Sequence, residues 1–201
     1  MKPEKRKIHP GLGLTRNGVV RLILLPCLLA IAVFWQRSEP VQGQAHPSLR
    51  IRSESFSDGA AIPRRYTCDG ANISPQLAWQ AAPAGTKSFA MVMNDPDAPV
   101  DFTHWLVWNI APAIHELAES ATPPGAMPQG AIEGKNSFGR MGYGGPCPPP
   151  GKPHHYVFRI YALDVRLDLP AGATRNQVEA AMSGHIVAQG QVIGTYQRTN
   201  P

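Results

Sequence analysis

Five apolar runs of strand length, separated by proline- and glycine-rich segments, constrain the fold of this chain more than any other feature. The runs are rich in valine, isoleucine, phenylalanine, tyrosine and tryptophan, which favour strands. The chain contains 21 prolines and 19 glycines in 201 residues, and these residues end strands and form turns. We therefore predict strands at residues 49–56, 88–94, 104–110, 155–163 and 186–196.

Only one segment has the pattern of a helix. Residues 175–183 follow Thr174, which can form a capping box with Gln177, and Gly184 can end the helix. Its small apolar face consists of Val178, Ala181 and Met182. Because the strands do not alternate with long helices, the pattern favours an antiparallel β fold over a parallel α/β fold. The sequence predicts a mostly β fold with antiparallel strands and one or two short helices.

The N-terminal segment has the three parts of a secretory signal. Residues 1–21 are basic, residues 22–35 are an uninterrupted apolar run of 14, and a polar stretch follows that ends at Ala45. We predict cleavage after Ala45, which leaves a periplasmic or secreted domain at residues 46–201. The alternative is an uncleaved inner-membrane anchor facing the periplasm. Fourteen residues span about 21 Å of a hydrocarbon core of about 30 Å, and Val19 and Val20 would lengthen the span.

Removal of residues 1–45 changes the charge of the protein. The whole chain has a formal net charge of +5, whereas residues 46–201 contain twelve Lys and Arg and twelve Asp and Glu. A domain without net positive charge lacks the basic field that binds nucleic acid. We expect no nucleic-acid partner, and membrane contact only through an uncleaved N-terminal segment.

Two of the three cysteines, Cys68 and Cys147, lie in the predicted domain, and Cys27 lies in the leader. An even number of cysteines in an exported protein is typical of a disulfide. The alternative is that Cys68 and Cys147 are two small apolar residues that line a pocket.

The first polar segment combines carboxylates with a histidine. Pro96 and Pro99 restrain the backbone around Asp95 and Asp97. Strand alternation predicts that His104 shares one buried face with Leu106, Trp108 and Ile110. A carboxylate could orient His104 and favour its imidazolium form, which donates two N–H groups to an anion. The alternative is a turn with solvated aspartates beside a core histidine.

The second polar segment begins with the glycine- and proline-rich loop 144–151. Its glycines allow backbone N–H groups to approach a ligand, and its prolines stiffen it. Alternation places His154 and Tyr156 on one face of the following strand and His155 on the other. The alternative is a turn followed by an edge-strand histidine. Residues 118–145, which show little periodicity, are predicted to be a functional or mobile loop.

Other chemistries have weaker support. Carboxylates and imidazoles could bind a divalent metal, but no HxxxH or CxxC spacing is present, so we predict no metal site. A serine hydrolase would need a Gly-x-Ser-x-Gly elbow, which is absent. Asp95 and His104 could still act as acid and base.

Ordered motifs across residues 49–198 resemble the phosphatidylethanolamine-binding protein family, in its bacterial Raf-kinase-inhibitor-like branch. They include YTCDGANISPQLAW at 66–79, DPDAP at 95–99, HWLVWNI at 104–110, GPCPP at 145–149 and HHY at 154–156. The resemblance implies two packed antiparallel sheets with a few short peripheral helices. It also implies a pocket for phosphate, phosphoryl-ethanolamine and similar small anions, formed by Asp95, Asp97, Pro99, His104, Gly145, Pro146, His154 and Tyr156.

By the same resemblance, His104 and His154 would donate to anion oxygens, and Tyr156 would be a further donor or a wall. Asp95 would orient a histidine or meet a ligand ammonium group, and the backbone at Gly145 would add an N–H. The family commonly has arginine where this chain has His155, which leaves the pocket intact and puts in doubt any surface contact made by that arginine.

The predicted function is an exported, non-enzymatic protein that binds a small anionic ligand and needs no cofactor. One alternative is an envelope protease inhibitor or protein-interaction module that uses loop 118–145. The other is a hydrolase or lyase that uses Asp95 and His104.

Overall fold

The computed structural model describes residues 47–80, 82–122 and 126–199. The predicted signal or anchor at residues 1–45 lies outside the described residues. Within the described ranges, no helix has the length and apolar character needed to cross a bilayer. The strands are β1 (Ile51–Arg52), β2 (Leu77–Trp79), β3 (Ser88–Asp95), β4 (Phe102–Ile110), β5 (Glu116–Leu117), β6 (Ile132–Glu133), β7 (His154–Leu163) and β8 (Ile186–Tyr196); the helix α1 is Arg175–Met182, and a 3-10 turn spans Arg64–Tyr66.

The strands form two antiparallel sheets. The larger sheet has the order β6-β4-β3-β7-β8, and the smaller has the order β1-β2-β5. The main core lies between the two sheets, because its members come from both. They include Leu77, Trp79 and Leu117 of the smaller sheet and Phe89, Met91, Met93, Trp105, Phe158 and Ile160 of the larger one. The predicted mostly β fold with two antiparallel sheets is confirmed.

Helix α1 contributes to a second apolar cluster. Val178 and Met182 of the helix belong to the same cluster as Ala90 of β3, Trp108 of β4 and Leu163 of β7. The helix begins after Thr174, whose backbone N–H donates to the Gln177 side chain at 2.9 Å, as the capping box predicts. The helix ends at Met182, one residue earlier than predicted. Gly184 follows in the left-handed region (φ 80°).

Two β-bulges in β4 contradict the prediction that residues 104, 106, 108 and 110 share one face of this strand. Met93 of β3 is opposite Trp105, but the next residue of β3, Asn94, is opposite Thr103, so His104 is an additional residue in the ladder. A bulge interrupts the alternation of side chains between the two faces. As a result His104 lies beside Tyr156, a residue of the main core.

The second bulge lies between Val107, opposite Met91, and Ile110, opposite Phe89. Asn109 adopts φ 59° there. Val107 and Ile110 therefore both pack in the main core, whereas Trp108 packs in the second cluster. Residues 104, 106, 108 and 110 do not share one face, because each bulge shifts the alternation by one residue.

The first predicted strand, 49–56, is reduced to Ile51–Arg52. Beyond Arg52 the polar groups bond to Gln76 instead of a neighbouring strand: Ser53 Oγ donates to the Gln76 carbonyl and the Glu54 N–H donates to its side chain. Strands β2, β5 and β6 were not predicted, because two or three residues are too few to show alternation.

The long segment 118–145 follows the edge of β4 in its second half. The N–H groups of Gly134, Ser137 and Gly144 donate to the carbonyls of Leu106, Thr103 and His104, respectively. This part of the segment therefore forms a wall beside the start of β4, where His104 lies.

Candidate functional site

A cavity of about 230 Å³ lies where the turn after β3, the start of β4 and the start of β7 meet the loop before β7. Its lining combines carboxylate and imidazole groups with a mainly apolar wall of aromatic and proline rings. The lining residues are Asp95, Ala98, Pro99, Phe102, His104, Phe138, Cys147, Pro148, Pro149 and His154. Four of the eight predicted site residues, Asp95, Pro99, His104 and His154, are therefore brought together.

Asp95 and His154 form a buried pair. Antiparallel pairing of Asn94 with Val157 brings the end of β3 next to the start of β7. His154 Nδ1 lies 2.7 Å from Asp95 Oδ2, and because a carboxylate accepts, the Nδ1–H donates. Asp95 Oδ1 accepts the N–H groups of Asp97 and Ala98 at 2.9 and 3.1 Å. Asp95 is thus fixed by its own turn and in turn orients His154.

His104 is oriented by a backbone carbonyl, not by a carboxylate. Its Nδ1–H donates to the Gly144 carbonyl at 2.6 Å. Burial lowers the pKa of His104, and the Gly144 hydrogen bond and the Asp95 charge oppose that shift without reversing it. The expectation that a carboxylate orients this histidine is therefore wrong. The Asp95 charge favours the imidazolium form as expected, but burial outweighs it, because only 3% of the residue is exposed to water.

Both histidines keep one nitrogen available. Among the described residues, the hydrogen bond of each ring is made by Nδ1, and none is made by His104 Nε2 or His154 Nε2. With the proton on Nδ1, a neutral imidazole presents a lone pair at Nε2, and a protonated one presents an N–H. The two rings therefore become donors to an anion when they take up protons.

Tyr156 lies behind His104, with ring centroids 5.1 Å apart and edge-to-face geometry. Its side chain is fully buried, and its hydroxyl has no hydrogen-bond partner among the described residues. Burial, reinforced by Asp95, raises the pKa of Tyr156, so the hydroxyl stays protonated. Tyr156 is not part of the cavity lining, but it shares a face with His154, as alternation predicts.

The apolar wall of the cavity was missed from the sequence. Phe102 and Phe138 meet edge-to-face with centroids 4.8 Å apart, and Phe138 lies 5.4 Å from the His104 ring. Phe138 comes from a segment without periodicity, so no local pattern marks it. The position of Phe102, two residues before His104, was the only available signal.

Asp97 lies outside the cavity. Its Oδ2 accepts both the backbone N–H and the Nδ1–H of His155 at 2.7 Å, on the exposed side of the turn. These hydrogen bonds, the backbone one first, lower the pKa of Asp97. His155 points away from the cavity, as strand alternation predicts.

The backbone N–H of Gly145 is not available to a ligand. It donates to the side-chain Oδ1 of Asn72 at 2.8 Å, and neither Gly145 nor Pro146 lines the cavity. A Cβ at Gly145 would lie 2.3 Å from the Tyr66 carbonyl oxygen. The glycine is needed for close backbone packing and not for contact with a ligand, which corrects the expected role of this residue.

The comparison with protein families decides the identity of this domain. The family model described as phosphatidylethanolamine-binding protein matches residues 52–197, which include every predicted site residue. The chain belongs to the phosphatidylethanolamine-binding protein family. The resemblance seen in the sequence motifs is confirmed.

Relatives of this family member span almost the same domain. The UPF0098 protein of Aquifex aeolicus is 49% identical over 153 residues, covering 75% of this chain and 89% of that protein. The UPF0098 protein of Methanothermobacter thermautotrophicus is 46% identical over 151 residues, covering 75% and 99%.

Two solved structures of the phosphatidylethanolamine-binding protein family are also similar to this one. A homologue from Chlamydia trachomatis is 38% identical, with a TM-score of 0.68 and coverage of 75% of this chain and 98% of that chain. Escherichia coli YbcL, described as a new member of the mammalian family, is 32% identical, with a TM-score of 0.72 and coverage of 76% and 99%.

A disulfide joins Cys68 to Cys147 in this family member, with the Cα atoms 5.4 Å apart. The Cys68 N–H also donates to the Pro146 carbonyl at 3.1 Å, and the Tyr143 hydroxyl donates to the Tyr66 carbonyl at 2.6 Å. These links attach the loop that carries part of the cavity wall to residues 66–72.

A larger polar groove of about 540 Å³ lies between residues 101–103, residues 135–139 and the start of α1. Three of its charged side chains are paired with one another, since Arg175 bonds Asp101 and Glu179 at 2.7 and 2.6 Å. We assign the site to the smaller cavity, where two imidazole nitrogens have no hydrogen-bond partner within the part of the chain that the structure describes. Within the described ranges, no group of three or more His, Cys, Asp or Glu side chains has an arrangement that could hold a metal ion, so we assign no metal ligands there.

Proposed function

We propose that this protein binds small anions, among them phosphate and phosphoryl head groups, and does so without catalysing a reaction. The observation that carries the proposal is the pair of buried histidines, His104 and His154. Each is fixed through Nδ1 and leaves Nε2 unbonded beside the same cavity. Two fixed nitrogens that can both donate suit an anion with several oxygens.

The charges of the cavity make binding depend on pH. With both histidines neutral, the Asp95 carboxylate leaves the site with one negative charge, which repels an anion. Protonation of His104 and His154 reverses the sign and turns both Nε2 atoms into donors. Anions therefore bind more tightly as the pH falls.

The size of the cavity favours a small ligand. Its volume of about 230 Å³ lies below the roughly 300–1,000 Å³ typical of pockets for drug-sized molecules. The aromatic wall of Phe102 and Phe138 can contact an apolar part of the ligand next to the anionic group. This combination suits an inorganic anion or a head group with a short apolar extension.

We also propose that the protein is exported. The basic and apolar N-terminal segment supports this, as does the Cys68–Cys147 disulfide, because such bonds persist in oxidising compartments. The mass of the native protein reports whether residues 1–45 are removed.

The binding test is a titration of the mature domain with phosphate and phosphoethanolamine at pH 5.5 and 7.5, followed by histidine ring resonances in NMR. His104 and His154 should shift, more strongly at pH 5.5. His185 is a matched internal control, since its Nδ1 also meets a carboxylate, Asp164, at 2.9 Å, but at the opposite end of β7. His104→Ala should abolish the ligand-induced shift of the His154 resonances, and His154→Ala should abolish that of the His104 resonances. His185→Ala should leave both shifts unchanged.

Resonances of His104 and His154 that stay unchanged with phosphate, phosphoethanolamine and sulfate at both pH values would refute anion binding. Equal shifts at all three histidines would indicate non-specific screening and would refute it as well.

A protease inhibitor or protein-interaction module is a second candidate. Phe138 and Met141, both in segment 118–145, are large apolar side chains with 42% and 58% of their surface exposed. Exposed apolar residues that lie together often mark contact surfaces, and these two are three residues apart on one segment. The double variant Phe138→Ser, Met141→Ser should lose a captured envelope partner if this function holds, whereas His154→Ala should retain it.

A hydrolase or lyase that uses Asp95 and His104 has less support. Asp95 bonds to His154, not to His104, and the cavity lining contains no serine or threonine. Its cysteine, Cys147, is held in the disulfide. Turnover of a phosphoester that depends on both Asp95 and His104 would favour catalysis over binding alone.

A further inference from the structure

The peptide group between Gly144 and Gly145 is held from both sides. Its carbonyl accepts the Nδ1–H of His104 at 2.6 Å, and its N–H donates to Oδ1 of Asn72 at 2.8 Å. A trans peptide is planar, and its C=O and N–H point in opposite directions. A hydrogen bond that fixes the N–H therefore also fixes the carbonyl that His104 meets.

Glycine on both sides makes this peptide easy to rotate unless it is anchored, since glycine adopts both signs of φ. Larger residues are excluded: a Cβ at Gly144 would lie 2.5 Å from the Phe138 ring, and one at Gly145 would lie 2.6 Å from Asn72 Oδ1. The close packing thus requires two glycines, and the orientation of the peptide depends on its partners.

The orientation of this peptide decides the proton position on His104. As observed, the carbonyl faces Nδ1, so the neutral ring carries its proton on Nδ1 and offers a lone pair at Nε2. If the peptide turned over, its N–H would face Nδ1, and the ring proton would move to Nε2. The neutral ring could then donate to an anion without taking up a proton.

Asn72 is well suited to hold the peptide. It adopts φ 55°, a left-handed conformation that asparagine tolerates better than most residues. The segment that carries it is attached to the same loop by the Cys68 N–H, which donates to the Pro146 carbonyl, and by the disulfide. Its side-chain oxygen is thus presented to the peptide from a fixed backbone.

We propose that Asn72 is a positioning residue that locks the Gly144–Gly145 peptide and holds His104 in its Nδ1–H tautomer, so that His104 donates to an anion only after it takes up a proton. This role rests on the proposed anion binding. The other titratable or charged groups around His104 are Asp95 at the end of β3, His154 and Tyr156 of β7, and Arg140, whose guanidinium lies over the Phe138 ring.

The test replaces Asn72 in ways that separate its side chain from its backbone. Asn72→Gly removes the acceptor and suits the left-handed φ, and Asn72→Asp keeps an acceptor oxygen in the same place. Asn109→Gly is the matched control. Asn109 also has a left-handed φ, 59°, and its side chain bonds the backbone of Leu167 at 2.8 and 2.9 Å, but it lies at the far end of β4.

Two quantities are measured in the mature domain. One is the Kd for sulfate between pH 5 and 8, a range in which the charge of sulfate is constant. The other is the tautomer of neutral His104, from long-range proton–nitrogen NMR spectra. In the wild type the Kd for sulfate should rise about tenfold per pH unit for each proton that is taken up with the anion. The neutral His104 ring should carry its hydrogen on Nδ1.

In Asn72→Gly, sulfate binding should take up about one proton fewer than in the wild type, and neutral His104 should be the Nε2–H tautomer. Asn72→Asp should keep the wild-type tautomer and proton coupling, with a weaker affinity at every pH because it adds a negative charge. Asn109→Gly should behave like the wild type. A wild-type pH slope and tautomer in Asn72→Gly would overturn the role of Asn72. So would an Nε2–H tautomer in the wild type, which can be observed even if Asn72→Gly does not fold. If the wild type binds neither sulfate, phosphate nor phosphoethanolamine, the proposed function fails, and the tautomer comparison still decides the role of Asn72.

Discussion

Removal of the Cys68–Cys147 disulfide should cost more stability than any single polar contact at the site. The two cysteines are separated by 79 residues. For a closed loop of this length, the chain-entropy relation gives a loss of about 15 cal/mol/K in the unfolded chain, or about 4.5 kcal/mol at 25 °C. The double variant Cys68→Ser, Cys147→Ser should therefore unfold more easily by roughly 4 kcal/mol.

The assay is urea unfolding of the mature domain, followed by tryptophan fluorescence. With a slope of about 2 kcal/mol per molar urea, the midpoint of the double variant should fall by about 2 M. Reductant should lower the wild-type midpoint by the same amount and should leave the double variant unchanged, which controls for the serine substitutions. Titration of the unfolded, unreduced mature domain should detect no free thiol.

A loss below about 1 kcal/mol, in the double variant or on reduction, would refute the reasoning, since a bond closing so long a loop should restrict the unfolded chain by more than that. Free thiols in the unreduced protein would refute it earlier, by showing that the bond is not formed.

Three further predictions concern the site. Burial lowers the pKa of His104 below its unfolded value of about 6.5, so the unfolded state binds more protons below that pH. Stability is therefore lost as the pH falls from about 6.5 towards the lower folded pKa of His104. His104→Asn should remove this loss and flatten the urea midpoints measured from pH 7.5 to 5.5, where one proton accounts for up to about 1.4 kcal/mol per pH unit. Gly145→Ala should destabilise the domain by about 1–3 kcal/mol in urea unfolding, because its Cβ would lie 2.3 Å from the Tyr66 carbonyl oxygen; an unchanged midpoint would contradict that contact. Phe138→Ser should weaken the binding of phosphoethanolamine, measured by NMR titration, with little change in stability, whereas Met141→Ser, on the same segment but outside the cavity lining, should not.

Local sequence patterns predicted the elements that carry the site. The runs at 88–94, 155–163 and 186–196 became β3, β7 and β8 within one residue at each end, since long alternating or apolar runs form strands wherever they pack. The capping box at Thr174 and Gln177 marked the start of α1, because capping depends only on residues three apart. Alternation also placed His154 and Tyr156 together, since β7 has no bulge at that end.

Other features depend on partners that no local pattern identifies. His104 was assigned to the wrong face, because a bulge arises from the pairing of two strands and not from either strand alone. Asp95 orients His154 and not His104, which follows from the register of β3 against β7. Phe138 became a wall of the cavity through a segment with no periodicity at all.

The sequence by itself thus determined the antiparallel β class, the main strands and the family, because each is written in periodicity or in contiguous motifs. Only the tertiary structure decided which nitrogen of each histidine remains unbonded and which backbone groups are already used. Gly144, Gly145 and Asn72 show why: a peptide is available to a ligand only if no other segment has bonded it, and the bonding partner here comes from a distant part of the chain.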